Sequence, residues 1–298
     1  MESVITKTQI PKDLQNLPGI ATGFQPPPVY ESRLCVLGPP GDGKSTFLNS
    51  DPSILVLDFE RGGRTVADPR AIRVSVPNDI DPSKMDEFIA GTIRKIVERK
   101  QRGATDIKMI AFDTIDEMIE MFLDAACKRA GVVDPMDMKD GFSNGYTVVR
   151  KQVFGLLDYV YRAGMGWAVA AHIATKTVRV GGEDKQLTGL AITDSFQKPL
   201  VRKCEHQLFL SRGTHVETVP GEDREVKGRI IKGQPTSRNV ECRMITTKPG
   251  GLWRGGEASD VKVRVPLPET ICLPRTGGFS EFIKAYDNAV KELTGETV

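Results

Sequence analysis

Short runs of apolar residues recur along the chain, and each is long enough for one buried strand. Four of these runs are almost uninterrupted and fall at residues 33–37, 54–58, 108–113 and 167–172. Unbroken apolar runs of this length are typical of strands that are covered on both faces in a parallel sheet. Briefer runs predict three more strands, at residues 74–76, 207–210 and 229–231.

Between these runs, apolar residues follow helical spacing. In residues 86–102, Ile89 and Ile93 lie one helical turn apart on the apolar face. Further helices are predicted over residues 115–130, 148–161 and 279–293. Strands that alternate with helices predict an α/β fold: a mostly parallel sheet with helices on both faces, and later strands that are antiparallel. Residues 131–145 and 176–190 are polar and rich in glycine, which predicts loops.

The composition is that of an ordinary globular chain and argues against several classes of protein. Of the 298 residues, 39% are hydrophobic and 27% are charged, and the net charge is only +2, so the whole molecule is not built to bind polyanions. No apolar stretch is long enough to span a membrane, and the polar N-terminus lacks a signal-peptide core. The five cysteines are scattered, which predicts free thiols and a cytoplasmic protein.

The first part of the chain differs from the rest. Residues 1–29 carry five prolines and little periodicity, so they are predicted to form an extended N-terminal arm. Residues 30–298 are predicted to form a single domain that ends in a helix. The arm is also a candidate for docking on a neighbouring subunit.

Residues 38–45 fit the phosphate-binding pattern G-x-x-x-x-G-K-[ST], with an apolar strand before them and a helix start after them. Backbone N–H groups of such a loop cradle phosphates, its Lys reaches the β- and γ-phosphates, and its Ser coordinates Mg²⁺. ATP and Mg²⁺ are the predicted cofactors. The predicted binding residues are Gly38, Pro39, Pro40, Gly41, Asp42, Gly43, Lys44, Ser45 and Thr46.

Two further strands end in carboxylates, at the edge of the sheet where ligands bind in folds of this type. Asp113 follows an apolar run and is predicted to hold Mg²⁺ together with Ser45, although an aspartate there could also cap the next helix. Glu60 is predicted to orient the attacking water. Asp58 competes with Glu60 for that role, and a solvated turn is the simpler alternative for both.

A third predicted strand ends in His172. An imidazole at this position can hydrogen-bond the γ-phosphate and report its presence to the following loop. The alternative is a histidine that is satisfied within the core. Basic residues are dense between residues 224 and 243, where three candidates to reach a neighbouring subunit's γ-phosphate are Lys232, Arg238 and Arg243. A nucleic-acid groove or a solvated hairpin would also account for these residues.

The order of these motifs resembles that of RecA-type ATPases. More narrowly, it resembles the short RecA-like ATPases of bacteriophages, usually labelled AAA family ATPases, which include the Sak-type single-strand annealing proteins. The resemblance covers about residues 30–290. It implies that Asp113 is the Walker B carboxylate and that Glu60 is the catalytic glutamate, with Arg61 as a small departure from the family pattern. His172 stands where recombinases carry a polar γ-phosphate sensor, often Gln.

The resemblance also implies partners. Residues 131–145 and 174–190 occupy the positions of the two disordered loops that touch single-stranded DNA in this superfamily. The second of these contains Lys176, Arg179 and Lys185, which are suited to phosphate contacts. A homo-oligomer, as a ring or a filament, with ATP between subunits is implied as well.

Three functions are therefore compatible with the sequence. The first is a Mg²⁺- and ATP-dependent ATPase that acts on single-stranded DNA in phage recombination, annealing or replication. The second is a nucleotide switch, or an assembly or packaging ATPase, whose partner is a protein; a net charge near zero and few aromatic residues favour it mildly. The third is a small-molecule kinase, because one fold is reused widely.

Overall fold

The computed structural model describes residues 26–60, 70–139, 144–180, 182–226, 229–247, 252–253, 256–257, 264–274 and 276–295. Its strands are β1 (Arg33–Gly38), β2 (Ile54–Asp58), β3 (Ile72–Ser75), β4 (Met109–Asp113), β5 (Gly166–Val180), β6 (Glu183–Leu190), β7 (His206–Val226), β8 (Arg229–Thr246), β9 (Leu252–Trp253), β10 (Gly256–Glu257) and β11 (Thr270–Leu273). Its helices are α1 (Lys44–Leu48), α2 (Met85–Gln101), α3 (Ile115–Ala130), α4 (Gly145–Arg162), α5 (Asp194–Lys203) and α6 (Phe279–Thr294).

Six parallel strands form the centre of the molecule in the order β3-β2-β4-β5-β1-β7. Strands β8 and β11 extend this sheet antiparallel beyond β7. Strand β6 pairs antiparallel with the distal half of β5. The predicted fold class, a mostly parallel sheet with later antiparallel strands, is confirmed.

The register brings the predicted site residues to one edge of the sheet. Gly38 at the end of β1 lies beside His172 on β5, and Asp58 at the end of β2 lies beside Asp113 at the end of β4. Because all of these strands are parallel, their carboxyl ends share one edge. This edge is where ligands bind in open α/β sheets.

The sheet is covered on both faces because successive side chains of a strand point to opposite sides. On β1, Cys35 and Leu37 belong to the core that is formed with α2, α3, α4 and α5, whereas Leu34 and Val36 belong to the core formed with α1 and α6. In the second core, the Phe47 ring of α1 lies 5.1 Å from the Phe279 ring of α6. Helices on both faces are as the sequence predicts.

The predicted helices agree closely with those in the structure, because long apolar faces locate them. Helix α3 spans the predicted residues, and α2, α4 and α6 differ from their predicted bounds by a few residues at most. Helix α5 was not predicted, because Pro199 within it argues against a helix. No described helix is long and apolar enough to cross a membrane. All five cysteines are free.

The prediction of a loop at residues 176–190 is wrong. The distal part of β5 and all of β6 form a hairpin here, with Val180 paired to Glu183. Two residues connect the strands, and Gly182 adopts a φ of 90°, which a two-residue hairpin turn requires of its glycine. We call this hairpin the β5–β6 arm. Residues 131–139, in the other predicted loop, contain neither helix nor strand, and residues 140–143 lie outside the described residues.

The later strands are much longer than the short runs that predict them. Strands β7 and β8 pair antiparallel along their whole length. Phe209 pairs with Thr246 at the sheet and Val226 pairs with Arg229 at the far end, and the register is irregular near Gly221. We call this second hairpin the β7–β8 arm. Of the predicted N-terminal arm, residues 1–25 lie outside the described residues. Pro27 already packs on the domain, since its carbonyl accepts a hydrogen bond from Tyr286 Oη at 2.7 Å.

Candidate functional site

The phosphate-binding loop connects β1 to α1 and is shaped by two glycines. Gly41 and Gly43 have φ values of 84° and 90°, in the left-handed region that residues with a Cβ rarely adopt. An added Cβ at Gly43 would also lie 2.6 Å from Nη1 of Arg243, so the arginine side chain would have to move. The loop therefore favours glycine here for both conformation and space.

Lys44 is held inside this loop. Its side chain is buried, and Nζ donates hydrogen bonds to the carbonyl oxygens of Gly38 at 2.8 Å and Pro39 at 3.0 Å. Burial lowers the pKa of this ammonium, whereas the nearby carboxylates of Glu60 and Asp113 act in the opposite direction. The loop thus keeps a desolvated cation beside its own backbone, where phosphate oxygens would be stronger partners than carbonyls.

Asp113 is a buried carboxylate with a strongly raised pKa. Its pKa is raised from 3.8 to about 6, mainly by burial and also by the carboxylates of Glu60 and Asp58, although a hydrogen bond with Ser45 and the charge of Lys44 act in the opposite direction. Its Oδ1 is buried and has no hydrogen-bond partner among the described residues. A buried, incompletely satisfied carboxylate beside a serine hydroxyl fits Mg²⁺, which prefers oxygen ligands.

Glu60 lies just beyond β2, at the same edge of the sheet, and is fixed from one side. Thr114 Oγ1 donates a hydrogen bond to Glu60 Oε1 at 3.0 Å. Part of the Glu60 side chain, 33%, remains exposed, so its carboxylate is accessible to water. Residues 61–69 lie outside the described residues, so Arg61 is not placed.

Asp58 is less available than Glu60. It is almost fully buried, and its Oδ2 lies 3.8 Å from Arg73 Nε and 3.5 Å from Ser75 Oγ, both on β3. These contacts engage the carboxylate with the neighbouring strand. The geometry therefore favours Glu60 over Asp58 as the residue that faces a nucleotide, although the role itself stays a prediction.

His172 lies beside Glu60 and contacts a residue that the sequence did not single out. Its Nδ1 is 2.6 Å from Asp116 Oδ2 and 3.6 Å from Glu60 Oε1. Asp116 was missed because an acidic residue in the first turn of a helix needs no further explanation. One ligand atom from each of these three residues lies within 4.8 Å of the others, so the group could also hold a cation.

Two arginines of the β7–β8 arm clamp the phosphate-binding loop within the same chain. Arg243 donates to the carbonyls of Gly43 at 3.2 Å, Pro274 at 2.7 Å and Gly277 at 2.8 Å, and burial lowers its pKa. Arg212 lies directly opposite it in the register and donates to another loop carbonyl. Sequence reasoning missed Arg212, because no motif marks it.

The same two arginines line a cavity of about 820 Å³ that adjoins the loop, together with Gly213, Thr214, Glu241 and Cys242. Of the three predicted trans-acting residues, Arg243 is engaged within its own chain, Arg238 is exposed on β8, and the side chain of Lys232 lies outside the described part of the structure. The trans-acting role stays a prediction for all three.

The predicted DNA-contacting residues lie on the β5–β6 arm. Arg179 is exposed, and its Nε donates to the Gly182 carbonyl at 3.3 Å. The side chains of Lys176 and Lys185 lie outside what the structure describes. The arm is attached directly to the site, because the carbonyl of His172 accepts a hydrogen bond from Ala191 N at 2.8 Å, just past β6.

The fold and the site together define a P-loop nucleoside triphosphatase: a phosphate-binding loop between β1 and α1, and a buried carboxylate at the end of β4 on the same edge of the sheet. A profile of the AAA domain family matches residues 31–253, which is most of the chain. The protein belongs to this family. A search of curated proteins found no match.

Proposed function

We propose that this protein is a Mg²⁺-dependent ATPase of the RecA-like type that acts on single-stranded DNA, as the short ATPases of bacteriophages do. One observation carries the proposal. Lys44, the pair of Ser45 and Asp113, and Glu60 converge at one sheet edge, from which both arms extend. The proposed hydrolysis site and the two long arms are thus parts of one sheet, and both arms begin at the edge where the site lies.

The residues of the site divide the work of hydrolysis. Lys44 supplies positive charge to the β- and γ-phosphates, in a buried position where that charge is poorly screened. Ser45 and Asp113 would hold Mg²⁺, which neutralises charge on the phosphates when it is bound. Glu60, fixed by Thr114, orients the attacking water.

Single-stranded DNA is the proposed partner because basic residues lie on extensions of the site. Strand β5 runs without interruption from the site at His172 to the exposed Arg179 on its arm. A change at the γ-phosphate can therefore reach the arm through one continuous strand. We further propose a homo-oligomer in which Arg238 or another basic residue of a neighbouring subunit completes the site.

The first experiment tests hydrolysis alone. Purified wild type is assayed for phosphate release from ATP with and without Mg²⁺, beside Lys44→Ala as the inactive variant and Lys291→Ala as a matched control on the exposed face of α6. Hydrolysis that requires both Mg²⁺ and Lys44 supports the proposal. Wild type that releases no phosphate under any of these conditions contradicts it.

The second experiment tests the DNA partner. We expect single-stranded oligonucleotides to increase hydrolysis by the wild type. Alanine at Lys176, Arg179 and Lys185 should remove that increase and leave the basal rate unchanged. A control with the same loss of charge carries alanine at Lys95, Lys284 and Lys291, which are exposed on α2 and α6. Affinity for DNA should fall steeply with salt.

If the wild type hydrolyses ATP at the same rate with and without nucleic acid, the proposed ATPase activity stands and the proposed DNA partner is contradicted. The nucleotide switch with a protein partner would then be the better proposal.

A further inference from the structure

Asp116 makes a contact that the proposed hydrolysis site does not yet explain. It lies in the first turn of α3, and its Oδ2 is 2.6 Å from Nδ1 of His172 on β5. Both side chains are largely buried, with exposed fractions of 16% for Asp116 and 21% for His172. A short hydrogen bond between a carboxylate and an imidazole in such a place is strong enough to fix the orientation of the ring.

A role in stabilising the helix does not account for this contact. Asp116 and Glu117 are both acidic residues of the first turn of α3, so either can interact favourably with the helix dipole. Glu117 is exposed and has no hydrogen bond to the imidazole. Asp116 instead turns its carboxylate toward β5, which indicates that its target is His172.

The contact determines which ring nitrogen of His172 can serve the nucleotide. When a carboxylate accepts from one ring nitrogen, the proton is kept on that nitrogen and the other is presented to the reaction. Here Nδ1 contacts the carboxylate of Asp116, so Nε2 is the ring nitrogen that remains available to the nucleotide. Glu60 Oε1 lies 3.6 Å from the same Nδ1, which is too far for a hydrogen bond, so Asp116 and not Glu60 holds this nitrogen.

We propose that Asp116 is a positioning residue of the hydrolysis site, which holds the Nδ1–H group of His172 and so presents Nε2 to the nucleotide. This inference rests on the proposed ATPase function for its effect on rate. The structural claim, that Asp116 keeps the proton of His172 on Nδ1, does not depend on hydrolysis. It can be measured in the protein without nucleotide.

The structural claim is tested by nitrogen NMR of protein labelled with ¹⁵N-histidine. The chain has only three histidines, and the signals of His172 are those that disappear in His172→Gln. In the wild type we expect a protonated Nδ1. In Asp116→Ala we expect the proton to move to Nε2, which free imidazole side chains prefer, and in Glu117→Gln we expect no change. An unprotonated Nδ1 in the wild type, or equal spectra of wild type and Asp116→Ala, would overturn the proposal.

The effect on rate is tested by a double-mutant cycle. Asp116→Ala should lower kcat at least about tenfold with little change in the KM for ATP, whereas Glu117→Gln should change neither. Gln places an amide nitrogen near the position of Nε2 without needing an orienting partner. In the His172→Gln background, Asp116→Ala should therefore cost less than about twofold.

The outcomes of this cycle are separable from those of the proposed function. Equal losses in the two backgrounds would show that Asp116 acts other than through His172, and would overturn the inference while ATPase activity stands. A wild type without hydrolysis would instead contradict the ATPase, and the NMR measurement would still decide whether Asp116 holds Nδ1. Circular dichroism of each variant confirms that it is folded.

Discussion

Replacing Asp113 with Asn should stabilise the metal-free protein while it abolishes hydrolysis. Burial raises the pKa of Asp113 from 3.8 to about 6, which means that the folded protein disfavours the charged carboxylate. One pKa unit corresponds to about 1.4 kcal/mol, so the ionised group costs the fold about 3 kcal/mol at neutral pH. Asn has nearly the same shape, keeps an acceptor for Ser45 and carries no charge.

The sign of the pH dependence follows from proton binding. Between pH 4 and pH 6 the folded state holds a proton on Asp113 that the unfolded chain has already released, so the stability contributed by this residue falls as the pH rises. The wild type and Asp113→Asn should therefore be about equally stable near pH 4. The variant should gain steadily up to about pH 6, and the difference should then stay constant.

Urea denaturation in EDTA, repeated at several pH values, measures this difference. The exposed Asp287 on α6 provides a matched control, and Asp287→Asn should change the free energy of unfolding by less than about 0.5 kcal/mol. Added MgADP should stabilise the wild type and have less effect on Asp113→Asn. The reasoning is refuted if the variant is no more stable than the wild type at pH 8, or if the gain is the same at pH 4 and pH 8.

Three further predictions concern the loop and its neighbours. Gly43→Ala should lower the free energy of unfolding by about 1–3 kcal/mol in urea titrations, because the φ of 90° is strained for alanine and its Cβ meets Arg243. If the loss is as large in the Arg243→Ala background, the contact with Arg243 does not contribute to it. Thr114→Val should lower kcat about tenfold in phosphate-release assays, through loss of the hydrogen bond to Glu60, whereas Thr114→Ser should retain most activity. Arg243→Lys should raise the KM for ATP, because one ammonium cannot replace a guanidinium that binds three carbonyls. An unchanged KM would contradict the idea that Arg243 holds the phosphate-binding loop in shape.

The parts of the fold that could be predicted are those that local pattern determines. Helix α3 was predicted correctly because its apolar face is long and regular. The β5–β6 arm was missed because its polar, glycine-containing composition predicts a loop. Thr175, Thr177 and Val178 are β-branched residues that favour strands, and the glycine pair that follows is a hairpin signal. Composition and backbone preference disagreed there, and backbone preference was the better guide.

The site shows a similar division. Lys44 and Asp113 could be placed at one sheet edge because each belongs to a motif that follows a strand, and parallel strands bring such positions together. Asp116 and Arg212 could not be placed in the site from the sequence. Their contacts depend on how helix α3 packs against β5 and on how the β7–β8 arm packs against the phosphate-binding loop. Such contacts join residues that are 56 and 171 positions apart, and no local pattern encodes them.

The attachment of α6 has a practical consequence for anyone who trims this protein. The family match ends at residue 253, which invites expression of a fragment that stops there. Such a fragment would lack Pro274 and Gly277, two of the three carbonyls that hold Arg243, and the Phe279 backbone that donates to Ser50 Oγ at 3.0 Å. It would also uncover the apolar surface on which α6 packs. The smallest piece that folds should therefore extend through the last helix, and the shorter one should aggregate.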